Sequence, residues 1–318
     1  MKGESRMKNI FKQSRSSWVR YDKYEIRTGK DGVRYIRPHK DSTPEIYDPI
    51  AVSTQMVLDA LNVGMVLMGG SCPYITERKI LEFVHKYGLL GIMTALPTTA
   101  DFFKYDTVYL PKNRFIRDDA VETTEYIQSF CPFGKFNFNG RNRLHVNAPD
   151  MQELIDMFKD DPIPMNMCRL RQYAEPVDWI AAQLKDWAFN MLNTEFYYKD
   201  YDSTDEETRL MLQRSMRAFR GIAPSYHIEL LDKPTLFWDF HSLFHAIEMM
   251  LYLLITDDAK PLRICKGCDK VFAAPRSNAV FCSARCKNRY YLCSEQEQKP
   301  KCTCPAQHEC SHFNKEDN

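Results

Sequence analysis

Four cysteines in the last fifth of the chain stand in two close pairs, with the spacing Cys-x2-Cys-x13-Cys-x3-Cys. They are Cys265, Cys268, Cys282 and Cys286. Zinc prefers four soft ligands in a tetrahedron, and a Cys-x2-Cys turn can place two thiolates on one ion. The spacing predicts one structural Zn²⁺, because four protein thiolates leave no position open for water. The alternative is four buried free cysteines, which the paired spacing and the few apolar neighbours disfavour.

The residues around these pairs predict the elements that hold them. Gly267 supplies backbone freedom in the first turn. Phe272 and Phe281 can form a small apolar core in a unit that is too small to fold without its metal. The stretch CSARCKNRYYL (282–292) predicts a helix with the second cysteine pair on its first turn, where a helix N-terminus stabilises thiolate charge. Knuckle, hairpin and helix together are typical of a treble-clef-like zinc finger.

The same stretch is similar to a known group of proteins. FCSARCKNR resembles the end of the CGNR-type zinc fingers, which lie at the C-terminus of bacterial proteins described as transcription regulators or left uncharacterised. Where that group reads Cys-Gly-Asn-Arg, this chain reads Cys286-Lys287-Asn288-Arg289. Weaker similarity extends to "ILEFVHKYGLLG" (80–91) and to the helix that leads into "RICKGCDKVF". The resemblance implies zinc binding and suggests contact with nucleic acid in a regulatory role.

Cationic side chains surround the predicted zinc site. Arg285, Asn288 and Arg289 stand at i, i+3 and i+4, so they share one face of the predicted helix. Arginine and asparagine can bond to base edges or phosphates. Further phosphate contacts are predicted from Lys266, Lys270, Arg276 and Lys287. These positions predict that the finger helix contacts DNA or RNA.

The distribution of charge leaves a second interpretation open. Residues 1–40 carry a local charge of +8 and residues 260–292 carry +7, while residues 41–259 carry −12. Basic ends can bind a polyanion, or they can fold back on an acidic body. The alternative function is therefore a structural or protein-interaction module, in which the finger docks on the acidic body or on a partner protein.

Other metal or catalytic candidates rest on weaker patterns. Residues of the tail could hold a second metal ion. The candidate ligands are Cys293, Cys302, Cys304, Cys310 and His312, and His308 lies near them in the sequence. A disordered tail with incidental thiols is the alternative. His241 and His245, with Glu248 and Tyr252 near the same stripe, could bind metal or could make polar contacts between helices. Cys72 follows a Gly-Gly-Ser turn without a base that the sequence can pair with it. The chain has no Walker or Rossmann glycine pattern, so no catalytic class is predicted, although an enzyme whose residues converge only in the fold stays open.

The rest of the pattern predicts an α+β protein with a mostly helical body, an N-terminal β-hairpin and a C-terminal zinc finger with four cysteine ligands. The hairpin is expected over 18–37, helices over 53–68, 77–87 and 151–159, an amphipathic helix after Pro176, a capping box at Ser203–Glu206 and the most apolar helix over 235–256. Short strands are expected at 107–110 and 135–138. The predicted segments are a basic arm with the hairpin (1–48), a mixed α/β subdomain (49–160), a helical subdomain (161–260), the finger (261–292) and a Cys/His-containing tail (293–318).

The distribution of apolar residues and the N-terminal sequence bear on where in the cell the protein lies. The chain has no run of 18 apolar residues, and the N-terminus lacks the apolar core of a signal peptide. Eleven cysteines without an export signal favour reduced thiols. We therefore predict a cytoplasmic protein with no membrane span.

Overall fold

The computed structural model describes residues 14–70, 72–93, 95, 105–110, 115, 120–133, 168, 170–199, 203–217, 223–257, 261–276 and 278–295. Within them the chain combines helices with small antiparallel sheets, so the predicted α+β class is confirmed. The helices are α1 (Ser53–Met68), α2 (Pro73–Tyr87), α3 (Thr123–Phe130), α4 (Val177–Lys199), α5 (Glu206–Arg217), α6 (Leu243–Ile255) and α7 (Ala284–Glu295). The strands are β1 (Trp18–Tyr21), β2 (Tyr24–Thr28), β3 (Arg34–Pro38), β4 (Pro44–Tyr47), β5 (Thr107–Tyr109), β6 (Ala120–Glu122), β7 (Glu175–Pro176), β8 (Ser225–Leu230), β9 (Pro234–Asp239), β10 (Leu262–Ile264) and β11 (Val271–Ala273). The strand predicted at 135–138 and the helix predicted at 151–159 lie outside the described residues.

The N-terminal hairpin consists of β2 and β3, with Ile26 opposite Ile36. Its turn closes through a 2.8 Å hydrogen bond from the Gly29 N–H to the Val33 carbonyl, and Gly32 takes a φ of +79°, which glycine adopts without strain. The hairpin prediction is confirmed with a shorter first strand. Residues 18–21 form the separate strand β1, which pairs antiparallel with β4.

The helical part of the body is built on the close contact between α1 and α4. Gly64 makes this approach possible, because a methyl group there would overlap the Leu184 carbonyl oxygen and the Ala188 side chain. Helix α2 stops at Gly88, which has a φ of +89° and donates its N–H to the Val84 carbonyl. One hydrophobic core runs through the body and includes residues from β1 to β11.

The prediction of one helix over 235–256 is wrong for the residues before Leu243. Residues 234–239 form β9, which pairs along its whole length with β8, and the helix begins only at Leu243. Ser242 caps it, with its side-chain oxygen accepting the His245 N–H at 3.2 Å. An unbroken apolar run does not distinguish a strand from a helix by periodicity, so hydrophobic spacing does not reveal the boundary.

The start of α5 also differs in its capping residue. The Asp205 carboxylate accepts the Thr208 N–H at 2.8 Å and the Thr208 hydroxyl at 2.7 Å. The helix begins at Glu206, so Asp205 and not Ser203 occupies the capping position. None of the helices in the described part of the chain has the length and apolar character that a membrane crossing requires.

Candidate metal centre

The structure brings the four predicted cysteines together at one point. Their Sγ atoms all lie within 4.8 Å of one another. Cys282 Sγ is 3.7 Å from Cys268 Sγ and 3.5 Å from Cys286 Sγ. Tetrahedral coordination with Zn–S bonds of about 2.3 Å separates the sulfurs by about 3.8 Å, whereas a disulfide brings two sulfurs to about 2.0 Å. The spacing fits a tetrathiolate metal site, and the four residues could hold a metal ion.

The first cysteine pair lies on a tight turn between β10 and β11. The Cys265 N–H donates to the Lys270 carbonyl, and the Asp269 N–H donates to the Cys265 carbonyl, both at 2.9 Å. Within this turn Asp269 has a positive φ, +56°. Gly267 has a different role from the predicted one: an added Cβ there would meet the Cys286 carbonyl oxygen at 2.6 Å. Glycine at this position therefore allows the knuckle to approach the helix that carries the second pair.

The second pair is placed by the start of α7. Cys286 lies in the first helical turn as predicted, but Cys282 precedes the helix by two residues. Ser283 accepts the Cys286 N–H at 3.2 Å, and the Cys282 N–H points at Cys265 Sγ at 3.3 Å. The Ser283 hydroxyl lowers the pKa of Cys286 to about 7, while burial raises the pKa of Cys268 and Cys282. A metal bound here must displace protons from the latter two thiols, so its affinity falls in acid.

Hydrogen bonds and an ion pair attach the β10–β11 hairpin to the helices of the body. The Asn62 side chain on α1 donates to the Val271 carbonyl at 3.1 Å and accepts the Val271 N–H at 2.8 Å, as a neighbouring strand would. Arg263 adds an ion pair of 3.3 Å to Glu195 on α4. Leu262 and Val271 also belong to the main core. The opposite face of the unit has its own small core of Cys265, Phe272 and Ala274, with Phe281 packed against it.

The predicted nucleic-acid contacts lie around the free side of this unit. Six of the seven side chains are exposed and one, Arg289, is partly buried; the exposed ones are Lys266, Lys270, Arg276, Arg285, Lys287 and Asn288. Within the described part of the chain, the five cations among these six have no carboxylate within ion-pair distance. These five side chains are therefore available to an anionic partner.

The cations of the N-terminal strands behave differently, as Arg20 on β1 and Arg34 on β3 show. Arg20 forms a bidentate ion pair with the Glu45 carboxylate, with hydrogen bonds of 3.0 and 2.9 Å, and Arg34 forms an ion pair with Glu77. Arg37, on β3, lies 3.6 Å from the Glu25 carboxylate. These pairs neutralise part of the +8 charge that the sequence places in residues 1–40.

The other sequence candidates do not form a second centre among the described residues. The cysteine cluster is the one group of three or more potential metal ligands that converges in the part of the chain described. Cys293 lies in α7, but its side chain and the tail beyond residue 295 are outside the described part. Cys72 is exposed at the start of α2. His241 and His245 have ring centroids 6.1 Å apart.

Glu248 and His245 are nevertheless both buried on α6, where charge is costly. Burial lowers the pKa of His245 to about 4 and raises that of Glu248 from 4.5 to about 7. Because the folded protein keeps the Glu248 carboxyl protonated to higher pH than the unfolded chain does, this group makes its full contribution to the free energy of unfolding below pH 4.5. That contribution is lost as the pH rises through 7. The lowered histidine pKa acts in the opposite sense, costing stability as the pH falls from 6.5 through 4.

Replacing Glu248 with glutamine should therefore stabilise the protein at alkaline pH. We expect a gain of about 3 kcal/mol above pH 8 and little change near pH 4, because glutamine stays neutral where the buried carboxyl ionises. Urea unfolding of the variant and of an exposed control, Glu207→Gln, measures the difference at each pH. A constant difference across the pH range would contradict the prediction.

Two residues of the site were not identified from the sequence. Ser283 directly precedes a helical pattern, so the preference of serine for the capping position could have revealed it. Asn62 contacts a residue 209 positions away, and no local pattern indicates such a contact.

No model of a known family matches this chain, and neither a curated protein nor a solved structure matches it. The relationship to the CGNR-type group therefore stays a prediction that rests on the sequence of the finger.

Proposed function

We propose that this chain is a zinc-binding protein whose finger helix, α7, contacts nucleic acid in a regulatory role. The observation that carries the proposal is the division of the finger into two sides. The β10–β11 hairpin is anchored on the body through Asn62 and Glu195, while the cationic helix on the other side is exposed. The finger is anchored to the body through its hairpin, and it exposes basic side chains of α7.

Zinc is the metal that the ligand set favours. Four thiolates are soft ligands, and tetrahedral sites with four sulfur ligands select zinc or iron–sulfur centres over hard cations. With all four positions taken by protein, the ion has no open position for water, so its role is structural. Cys265, Cys268, Cys282 and Cys286 would hold it, and the metal would hold the knuckle against the start of α7.

Nucleic acid fits the exposed surface better than docking on the acidic body does. Docking of the finger helix on the body would pair its cations with carboxylates, whereas Arg285 and Lys287 have no such partner among the described residues. Unpaired cations beside a rigid helix can neutralise phosphates and release counterions on binding. A partner protein with an acidic surface is the remaining alternative and is an outcome of the experiment below.

The double variant Arg285→Ala/Arg289→Ala should weaken binding to DNA or RNA by about 1–3 kcal/mol for each specific interaction that the substitutions remove. The affinity of the unmodified protein should fall steeply with salt, since each neutralised phosphate releases a counterion. Fluorescence anisotropy with short labelled duplexes and single strands, at two salt concentrations, measures both effects.

The matched control removes two arginines that are already near carboxylates, Arg27→Ala/Arg34→Ala. Zinc content is measured for both variants, so that weaker binding is not confused with an unfolded finger. Equal binding by all three proteins would exclude α7 as the contact surface. No binding by the unmodified protein at low salt would leave the partner-protein alternative.

A further inference from the structure

The β8–β9 hairpin has an open edge. All six residues of β8 are exposed, and Tyr226, Ile228 and Leu230 are 67%, 66% and 83% exposed. The other edge of the hairpin is covered, because the Arg15 N–H donates to the Leu236 carbonyl and the Arg15 carbonyl accepts the Trp238 N–H. A two-stranded ribbon is only marginally stable by itself, and an exposed apolar edge strand readily pairs with another strand.

The hydrogen bonds at the covered edge determine which groups face outward at the open one. Leu236 and Trp238 direct their backbone groups towards Arg15, so the alternate residue Phe237 faces β8. Its partner on β8 is His227, which therefore faces back towards β9. By the same alternation, Tyr226, Ile228 and Leu230 direct their N–H and C=O groups away from β9. No described residue bonds to those groups.

We propose that β8 pairs antiparallel with β8 of a second copy of this chain, with Ile228 on the two-fold axis. In this register Ile228 faces its own counterpart, and Tyr226 faces Leu230 of the other copy. All three outward-facing residues then take part in hydrogen-bonded pairs, which gives about six backbone hydrogen bonds across the junction. The two ribbons become one four-stranded sheet.

Charge selects this register over its neighbours. On the opposite face, His227 of each copy lies across from Glu229 of the other, in a non-hydrogen-bonded pair whose Cα atoms are about 4.5 Å apart. The residues already attract within one chain, with His227 Nε2 3.2 Å from Glu229 and Nδ1 2.8 Å from Asp239. A shift of two residues places histidine against histidine or glutamate against glutamate. A shift of one residue removes the edge hydrogen bonds.

The oligomeric state of the full chain tests the proposal. We expect sedimentation equilibrium to show a monomer–dimer equilibrium, and Ile228→Lys to raise its dissociation constant at least about tenfold, because two like charges meet at the axis. Met211→Lys is the matched control, since Met211 is 61% exposed and belongs to α5 and not to the hairpin; it should leave the constant unchanged.

Two further measurements test the register. Glu229→Lys should weaken the dimer, and His227→Glu/Glu229→Lys should restore it, because the exchanged pair again has opposite charges. Hydrogen exchange in peptides containing β8 should slow as protein concentration rises. The proposal is overturned by a monomer at every concentration, by a dimer that Ile228→Lys does not weaken, or by β8 amides that are already protected in dilute monomer, which would mean that another part of the same chain covers the edge.

Discussion

Cys268→Ser is expected to abolish zinc binding and to unfold the finger. Binding free energies of structural zinc are about 10–16 kcal/mol in small fingers, and this energy is also their folding energy. The small core of Cys265, Phe272 and Ala274 is too limited to replace it. The body should remain folded but lose stability, because Leu262 and Val271 contribute to the main core, and burial of such side chains stabilises by roughly 1.5–3 kcal/mol each.

Metal analysis and hydrogen exchange together measure this result. The unmodified protein should contain about one zinc per chain, and the variant should contain well under half of that. Amides of β10, β11 and α7 should lose protection in the variant, while those of α1 and α4 keep most of theirs. Cys72→Ser is the matched control, because Cys72 is exposed and stands outside the cluster. Zinc-free protein whose finger amides are as protected as before chelation would contradict the prediction.

The parts of the fold that the sequence predicts well are those governed by local chemistry. Helices α1 and α2 follow from apolar residues at helical spacing, and α2 ends where Gly88 takes a left-handed φ. The cysteine cluster follows from spacing alone, because two short-range pairs need only one chain reversal to meet. The hairpin turn is predictable for the same reason, because Gly29, where it starts, and Gly32, which takes a left-handed φ, lie within a few residues of each other.

The parts that the sequence does not predict depend on contacts between distant residues. The apolar run from 235 onward contains both a strand and a helix, and only pairing with β8 makes its first part extended. The Asn62 contact with Val271 and the fit of Gly64 against Leu184 join separate segments. Their side chains are ordinary in local context, so propensity and periodicity carry no information about them.

Glu175 belongs to this second group and forms a fully buried polar contact in the body. It is fully buried on β7, and its two carboxylate oxygens accept the N–H groups of Leu90 and Ile92 at 2.9 and 2.8 Å. The Tyr173 hydroxyl donates to the same carboxylate at 2.5 Å. Burial raises the pKa of Glu175, and hydrogen bonds from Tyr173 and from the backbone of residues 90–92 oppose that shift. The Leu90 and Ile92 amides in the segment after α2 are thus satisfied by one side chain that is 85 and 83 residues away along the chain.

Glu175→Ala should destabilise the body by about 3–5 kcal/mol, because it leaves the buried Leu90 and Ile92 amides and the Tyr173 hydroxyl without their acceptor. Glu175→Gln should cost less, since its single oxygen can keep the bonds to Ile92 and Tyr173 while its amide group faces the Leu90 N–H. Urea unfolding followed by circular dichroism measures both, with the exposed Glu125→Ala as control. We expect the loss of unfolding free energy to be largest for Glu175→Ala, smaller for Glu175→Gln and smallest for the control, because it follows the number of donors left unsatisfied. Losses below about 1 kcal/mol for alanine would mean that water replaces the carboxylate and that the segment after α2 is held mainly by its apolar contacts.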